Sequence, residues 1–199
     1  MSPVYPPAEP DIPKGLLIMG ILRSDEAFES EARRELEERF GAIVADSGPH
    51  PFEWTDYYEP EMGSGLLRSY LAFDRLIVED EIVAIKHETA ALEARFAQTG
   101  QRRVNLDPGY LDYHKVVLAS WKTGKHKIYL TRGVWADPVL IYETGAFHTQ
   151  DWTFPDMRTK LYEAFFLEAR RHFKKMMRQA GSQAAPAFAG ESPEGRERK

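Results

Sequence analysis

The apolar run GLLIMGIL, at residues 15–22, contains no charged or polar side chain that would mark a solvent-facing position. A run of this length is too short for most helices and is typical of a strand covered on both faces of a sheet. Residues 42–45 (AIVA) and 102–106 (RRVNL) predict two further strands, and alternating apolar and polar residues predict another over residues 66–77. The chain therefore has to be built around a sheet.

Two amphipathic helices are predicted between these strands. The first has apolar residues at every fourth position, at Phe28, Ala32, Leu36 and Phe40. The second has a stripe spaced alternately three and four residues apart, at Ile82, Ile85, Thr89, Leu92 and Phe96. The element order βαββαβ predicts an α+β fold, namely a ferredoxin-like sandwich with two helices on one face of an antiparallel sheet.

Further strands are predicted in the second half of the chain. KVVLAS (115–120) and KIYLTR (127–132) flank Thr-Gly at residues 123–124, which predicts an antiparallel β-hairpin added to the sandwich. Another strand is predicted over residues 139–142, followed by a turn at residues 144–145. These strands would extend the sheet.

A final helix is predicted to begin near Pro155, because Thr153 and Asp156 have the spacing of a capping box. Its apolar side would consist of Met157, Leu161, Phe165, Ala169, Phe173 and Met176. We expect this C-terminal helix to cover the added hairpin, since an apolar helix face needs an apolar partner.

The length and composition suit one domain. The 199 residues are 43% hydrophobic and 29% charged, as in ordinary globular proteins, and we place the domain at residues 14–178. Four prolines before residue 11 predict a proline-rich arm over residues 1–13. Small and polar residues predict a disordered tail over residues 179–199.

Composition also narrows the classes of function. The absence of cysteine excludes disulfides, thiolate metal sites and cysteine nucleophiles. No apolar run approaches the roughly 20 residues of a membrane span, and the first residues do not form a secretory signal, so we expect a cytoplasmic protein without a membrane partner. A formal net charge of -5 argues against DNA and RNA as partners.

Residues 47–65 connect the second and third predicted strands and include the aromatic and acidic stretch FEWTDYYEPEMG. A connection of this length without regular structure is uncommon in a compact domain and is usually functional or disordered. Its large apolar side chains argue against disorder, so we expect it to pack down and to hold its carboxylates in place. The alternative is that its aromatic rings close one end of the sandwich while the acids face solvent.

Six blocks of this sequence resemble the signature blocks of a bacterial protein family, domain of unknown function 4416. They are TDYYEPEMG (55–63), NLDPGY (105–110), KVVLAS (115–120), HKIYL (126–130), GVWAD (133–137) and WTFPD (152–156). The resemblance covers about residues 14–170. Family sequences often have Arg at Lys127, Glu at Asp137 and Tyr at Phe154, and a bidentate contact made by Arg would not transfer to Lys127.

The family resemblance implies no particular activity, although some members carry a GTP-binding label. The sequence lacks a phosphate-binding loop of the form GxxxxGK[ST]. TGKHK, at residues 123–127, has neither the spacing of that loop nor its final hydroxyl. The sequence therefore argues against a P-loop GTPase.

The polar residues of these blocks separate into acids and bases. Four acids are predicted to hold Mg²⁺ or Mn²⁺, which prefer oxygen ligands: Asp56, Glu59, Glu61 and Asp107. The predicted ligand-binding residues, which would hold phosphate and cover the organic part, are Tyr57, Tyr58, Arg68, Asn105, Lys115, Lys122, Lys127 and Trp152. His126, which lies between two lysines, is predicted as a catalytic base.

We therefore predict that the protein binds a phosphorylated small molecule or nucleotide with a divalent cation. If it is an enzyme, the predicted reaction is metal-assisted hydrolysis of a phosphoester or phosphoanhydride. Several alternatives stay open. The charges can be surface ion pairs, and Asp-Pro-Gly at 107–109 can be turn chemistry. The aromatic loop at 52–63 can dock a protein, and the basic run at 170–178 can bind RNA.

Overall fold

The structure is a computed structural model that describes residues 12–183. Most of the arm predicted for residues 1–13 and of the tail predicted for residues 179–199 lies outside the described residues. Residues 179–183 are described and continue the last helix. Within the described residues, no helix is both long enough and apolar enough to span a bilayer.

The described residues form a mixed structure of strands and helices. The strands are β1 (Lys14–Arg23), β2 (Ile43–Asp46), β3 (His50–Pro51), β4 (Leu67–Val78), β5 (Val104–Leu111), β6 (Lys115–Ser120), β7 (Ile128–Thr131), β8 (Val134–Glu143) and β9 (Ala146–Thr149). The helices are α1 (Glu26–Phe40), α2 (Glu59–Met62), α3 (Ile82–Phe96), α4 (Pro155–Arg158) and α5 (Glu163–Gln183), and a 3₁₀ turn (Glu79–Glu81) precedes α3.

All the strands belong to one antiparallel sheet. Its order is β2-β4-β1-β5-β6-β8-β7, with β3 pairing with β4 and β9 pairing with β8. The predicted α+β class is therefore confirmed as a large antiparallel sheet with several helices, and the nine strands exceed the four of a simple ferredoxin-like sandwich.

Strand β1 lies in the middle of the sheet and is buried on both faces, as its continuous apolar sequence predicted. Leu17, Met19 and Ile21 pack against α1 and α3, whose predicted apolar stripes are buried apart from the half-buried Phe28. Leu16 and Ile18 point to the opposite face and pack against α5. Helix α5 therefore covers β1, β2, β4 and β9, whereas the sequence predicted that it would cover the hairpin at residues 115–132.

The predicted hairpin between residues 115–120 and 127–132 is wrong, because β8 lies between β6 and β7. The tight hairpins are instead β7-β8, through Arg132-Gly133, and β8-β9, through Thr144-Gly145. All four of these turn residues have positive φ, as type I′ hairpin turns require. Gly124 has no positive φ, so the residues around it form a longer connection instead.

The predicted capping box at the start of the last helix is also wrong. The hydroxyl of Thr153 donates a hydrogen bond to the carbonyl of Val139, and Asp156 is buried beneath it in an ion pair with Arg68. Helix α4 then ends within one turn, and Lys160, with a φ of +64°, separates it from α5. Because of this break, Leu161 is exposed although its position in the sequence predicted a buried side chain.

Candidate functional site

A cleft opens in the sheet where β5 and β6 separate. The two strands pair at only three positions, the last of which joins Gly109 to Leu118. Beyond that pair β6 stays bonded to β8 as far as Ser120, while β5 stays bonded to β1, so a gap forms between them. The resulting cavity has a volume of about 260 Å³. It is lined by Tyr57, Tyr58, Lys86, Glu93, Arg102, Asn105, Asp107, Leu118, Ala119, Ser120, Trp121, Lys122, Lys127, Asp137 and Phe154.

The Asp-Pro-Gly sequence at 107–109 lies inside strand β5, so the alternative reading of these residues as a turn is wrong. Gly109 is required by the close approach of the neighbouring strand. A Cβ at this position would lie 2.4 Å from the Val117 carbonyl oxygen and 3.2 Å from Leu118 Cα. Glycine therefore permits the last bonded pair, and the cleft begins directly after it.

Helix α3 supplies the floor of the cleft. Lys86 Nζ donates hydrogen bonds to the Leu106 carbonyl, at 3.1 Å, and to Asp107 Oδ1, at 3.2 Å. Glu93 Oε1, two turns later, accepts a hydrogen bond from the backbone N–H of Leu106. Both side chains are buried although both can carry a charge. The floor is therefore polar and closely tied to β5.

The two carboxyl groups at the floor titrate in opposite directions. Burial raises the pKa of the Glu93 carboxyl to about 7. Burial also acts to raise the pKa of Asp107, but the cationic groups of Lys86 and Arg68 outweigh it and hold that pKa below its usual value. At neutral pH Asp107 is therefore charged, while Glu93 is divided between its charged and protonated forms.

Residues 52–66 form one wall. Phe52, Met62 and Leu66 are buried against Leu22, so part of this loop packs down as predicted, while Trp54 and Tyr57 stay exposed. Its position is tied to the start of β5 by an ion pair with two short hydrogen bonds, 2.6 and 2.7 Å, between Arg102 and the Glu61 carboxylate. These hydrogen bonds lower the pKa of Glu61.

The opposite wall carries two lysines. Lys127 Nζ lies 2.8 Å from Asp137 Oδ2 and donates a hydrogen bond to Ser120 Oγ at 2.9 Å. Lys122 Nζ lies 3.8 Å from the centre of the Tyr57 ring, across the mouth of the cleft. Within residues 12–183, no carboxylate lies close enough to Lys122 to form an ion pair. Lys122 is therefore the cation of this wall that is available to a ligand.

His126 does not line the cleft but lies behind Asp137. Its Nε2 is 3.1 Å from Asp137 Oδ1, and its ring stacks on Trp152 with 4.7 Å between centres and 12° between planes. Trp152 in turn donates a hydrogen bond to the Pro138 carbonyl at 2.8 Å. His126, the predicted base, and Trp152, the predicted aromatic cover, thus support the wall of Lys122 and Lys127, which we call the lysine wall.

Other predicted site residues lie elsewhere. Arg68 is buried with Asp156, and Lys115 pairs with Asp112 and Glu79 at the far end of β6. Asp56 and Glu59 line a separate surface groove. Of the predicted residues, Tyr57, Tyr58, Asn105, Asp107, Lys122 and Lys127 line the cleft.

The four predicted cation ligands are therefore not brought together. Asp56 and Glu59 face the surface groove, the Glu61 carboxylate is occupied by Arg102, and Asp107 is held by Lys86. In the part of the chain that the structure describes, no three or more histidine and acidic side chains are arranged to hold a metal ion.

Sequence reasoning did not identify Lys86, Glu93, Arg102, Trp121 and Asp137 as cleft residues. A signal existed for the first two, because they lie seven residues apart and next to the apolar stripe of α3. Charged residues on the buried side of such a stripe need hydrogen-bond partners. Lys86 and Glu93 find theirs on Leu106 and Asp107 of β5. The other three depend on strand pairing, which the sequence alone did not reveal.

Comparison with known proteins agrees with the sequence blocks described above. Searches of curated proteins and of solved structures each found no match. The family model described as Domain of unknown function (DUF4416) matches residues 13–173, which include the nine strands of the described residues and the cleft. The chain therefore belongs to the DUF4416 family.

Proposed function

We propose that the cleft between β5 and β6 binds a small phosphorylated molecule, with nucleotides among the candidates. The observation that supports this most is the charge of the lining, in which four cationic side chains stand against three carboxylates. Glu93 carries only part of its charge at neutral pH, and Lys122 has no carboxylate partner among the described residues. The cleft thus offers positive charge to an anionic ligand.

The phosphate would bind at the lysine wall. Lys122 and Lys127 extend from the same connection between β6 and β7, and Lys127 donates a hydrogen bond to the hydroxyl of Ser120 at the end of β6. Lysines bind phosphate as point charges. Since Asp137 holds Lys127 in place, one lysine of the pair is oriented before the ligand arrives.

The organic part of the ligand would stack on the aromatic residues at the mouth. Tyr57 and Trp121 line the cleft and have more than two fifths of their surface exposed, 58% and 44%. Exposed rings beside a polar pocket are suited to a flat organic group. A volume of about 260 Å³ supports a ligand no larger than a mononucleotide or sugar phosphate, since pockets for drug-sized molecules span roughly 300 to 1,000 Å³.

A divalent cation, if used, would enter with the ligand. Mg²⁺ is usually held by one or two carboxylates together with substrate phosphates and water, rather than by a complete protein cage. This arrangement requires no convergence of the four predicted acids. Hydrolysis of a phosphoester or phosphoanhydride is the reaction class that such a complex would allow.

The proposal is tested first by a thermal-shift screen with nucleotides, sugar phosphates and inorganic phosphate, each with and without Mg²⁺ or Mn²⁺. Affinity is then measured by calorimetry for wild type, Lys122→Ala and Lys125→Ala. Lys125 is an exposed lysine three residues further on that does not line the cleft. Loss of one charged hydrogen bond, about 1.5–3 kcal/mol, should weaken binding by roughly tenfold or more in Lys122→Ala only. Equal losses in both variants, or no ligand at all, would refute the proposal.

A second candidate function is protein docking through the outer side of residues 52–66. Trp54 is 46% exposed and lines the groove that contains Asp56 and Glu59, which supports an interface with an aromatic anchor. Recovery of one protein by wild type and not by Trp54→Ala, without any small-molecule shift, would favour docking. Salt-sensitive retention of RNA would instead favour the third alternative, since the basic half of α5 has no acidic residue after Glu168 within the described helix.

We also propose that the first half of the chain is a ferredoxin-like unit. The strands β2, β4, β1 and β5 stand in the order expected for βαββαβ connectivity, and α1 and α3 share one face. Strands β6 to β9 and α5 would then be additions. A solved structure that superposes on this half alone would test the assignment.

A further inference from the structure

We infer that Glu93, rather than the predicted base His126, is the side chain of the cleft that exchanges a proton with the bound ligand. This inference rests on the proposed function, because it assigns a role within the same cleft. Glu93 lies outside the six sequence blocks, and phosphate binding should be coupled to proton uptake.

The geometry of Glu93 leaves one carboxyl oxygen for this role. The residue is 8% exposed and lines the floor of the cleft. Oε1 is occupied by the backbone N–H of Leu106. Oε2 makes no hydrogen bond to a described residue, and the nearest cationic atom is Arg102 Nη1 at 3.7 Å, which already donates to Asn105. A proton on Oε2 would therefore be directed to the ligand, not to another side chain.

The surrounding charges separate Glu93 from its neighbour Asp107. The groups that face Glu93 are Lys86 on its own helix, Arg102 before β5 and Asp107 on β5. The far wall contributes the further charged groups Lys122, Lys127 and Asp137, and the loop wall contributes Tyr57 and Tyr58. Burial outweighs the nearby cations and raises the pKa of Glu93, whereas Asp107 is bonded to Lys86 and keeps its charge. Two neighbouring carboxyl groups whose pKa values are shifted in opposite directions are typical of a site that pairs a proton donor with a permanent anion.

His126 lacks the access that this role requires. Its Nε2 lies 3.1 Å from Asp137 Oδ1, its ring is covered by Trp152, and it does not line the cleft. A group that exchanges a proton with a ligand must reach it directly or through one water. His126 therefore acts on the site through Asp137, as a positioning residue.

Binding of a phosphate should shift Glu93 to its protonated form. The added negative charge disfavours the carboxylate, and the protonated carboxyl can donate a hydrogen bond to a phosphate oxygen. The proton comes from the buffer, so an O–H bond forms on Glu93 as one breaks in the buffer acid, and no other covalent bond changes. With a pKa of about 7, Glu93 is half protonated at pH 7, so each phosphate bound should take up as much as about half a proton.

The first experiment needs no ligand and compares wild type, Glu93→Gln and His126→Asn in thermal melts from pH 5 to pH 8.5. Glutamine keeps the acceptor for Leu106 and resembles the protonated carboxyl, so this variant should fold. The pKa of Glu93 is higher in the folded protein than its ordinary value of 4.5, so its contribution to stability is complete below pH 4.5 and is lost as pH rises through 7. The melting temperature of wild type and His126→Asn should therefore fall with pH more steeply than that of Glu93→Gln. Equal slopes for wild type and Glu93→Gln would overturn the inference.

The second experiment measures binding of inorganic phosphate by calorimetry at pH 7 in two buffers of different ionisation enthalpy. Wild type and His126→Asn should take up more protons than Glu93→Gln, by as much as about half a proton per phosphate, and the comparison removes the ionisation of phosphate itself. Phosphate binding with equal proton uptake in all three proteins would overturn the inference and leave the proposed function intact. Absence of binding to wild type would overturn both.

Discussion

Substitution of Gly109 by alanine tests the origin of the cleft directly. Alanine is normally better tolerated than glycine within a strand, by about 0.5–1 kcal/mol. Here the added Cβ would lie 2.4 Å from the Val117 carbonyl oxygen, 2.6 Å from Leu118 Cδ2 and 3.2 Å from Leu118 Cα. Two of these three atoms belong to the backbone of β6, so they can move only if the strand moves. Overpacking of this kind costs about 1–3 kcal/mol, and we expect a loss near the upper end, about 3 kcal/mol.

The assay is urea unfolding of wild type, Gly109→Ala and Gly181→Ala, followed by circular dichroism. Gly181 lies in α5 with no atom within 4 Å of the added Cβ, so the same change there should stabilise the helix by as much as about 1 kcal/mol. Opposite signs at the two positions would show that backbone crowding, not glycine replacement in general, decides the outcome. A loss below 0.5 kcal/mol for Gly109→Ala, by the extrapolation in urea, would refute the reasoning about β5 and β6.

Two further predictions concern stability. Asp156→Ala would leave the buried guanidinium of Arg68 without its carboxylate and should destabilise the protein by about 3–5 kcal/mol. The double variant Arg68→Met, Asp156→Leu should recover much of this loss, as a double-mutant cycle would measure. Thr144 and Gly145 have φ values of 48° and 90°, so Thr144→Asn should suit the β8-β9 turn better and raise the melting temperature slightly. A lower melting temperature would contradict that assignment of the turn.

The spacing of apolar residues predicted the helices and strands whose buried side is marked by a local sequence pattern. The stripe from Ile82 to Phe96 is buried in α3, and the run at residues 15–22 forms a strand covered on both faces. These predictions succeeded because a helix or strand with one apolar pattern has few ways to bury it. The connection at 47–65 was also predicted to pack down, and Phe52 and Met62 are buried, although Trp54 and Tyr57 stay exposed.

Strand order and the site depended on contacts between distant residues. Residues 115–132 do not show that β8 will insert between β6 and β7, because β8 pairs with β7 through the turn at Arg132-Gly133 and with β6 across a much longer connection. The four acids were predicted to form one cation site because they carry the same charge. In the structure Glu61 is paired with Arg102, and Asp56 faces another groove. Short-range patterns do not encode which oppositely charged groups meet in the folded chain.

The amino-acid sequence by itself determined the α+β class, the core faces of α1 and α3, and membership of the family. Only the tertiary structure decided that β5 and β6 separate beyond the Gly109–Leu118 pair and that Lys86 and Glu93 line the gap between them. The physical reason is that burial of a side chain follows from local periodicity, whereas the chemistry of a cleft follows from which strands pair and where their pairing stops.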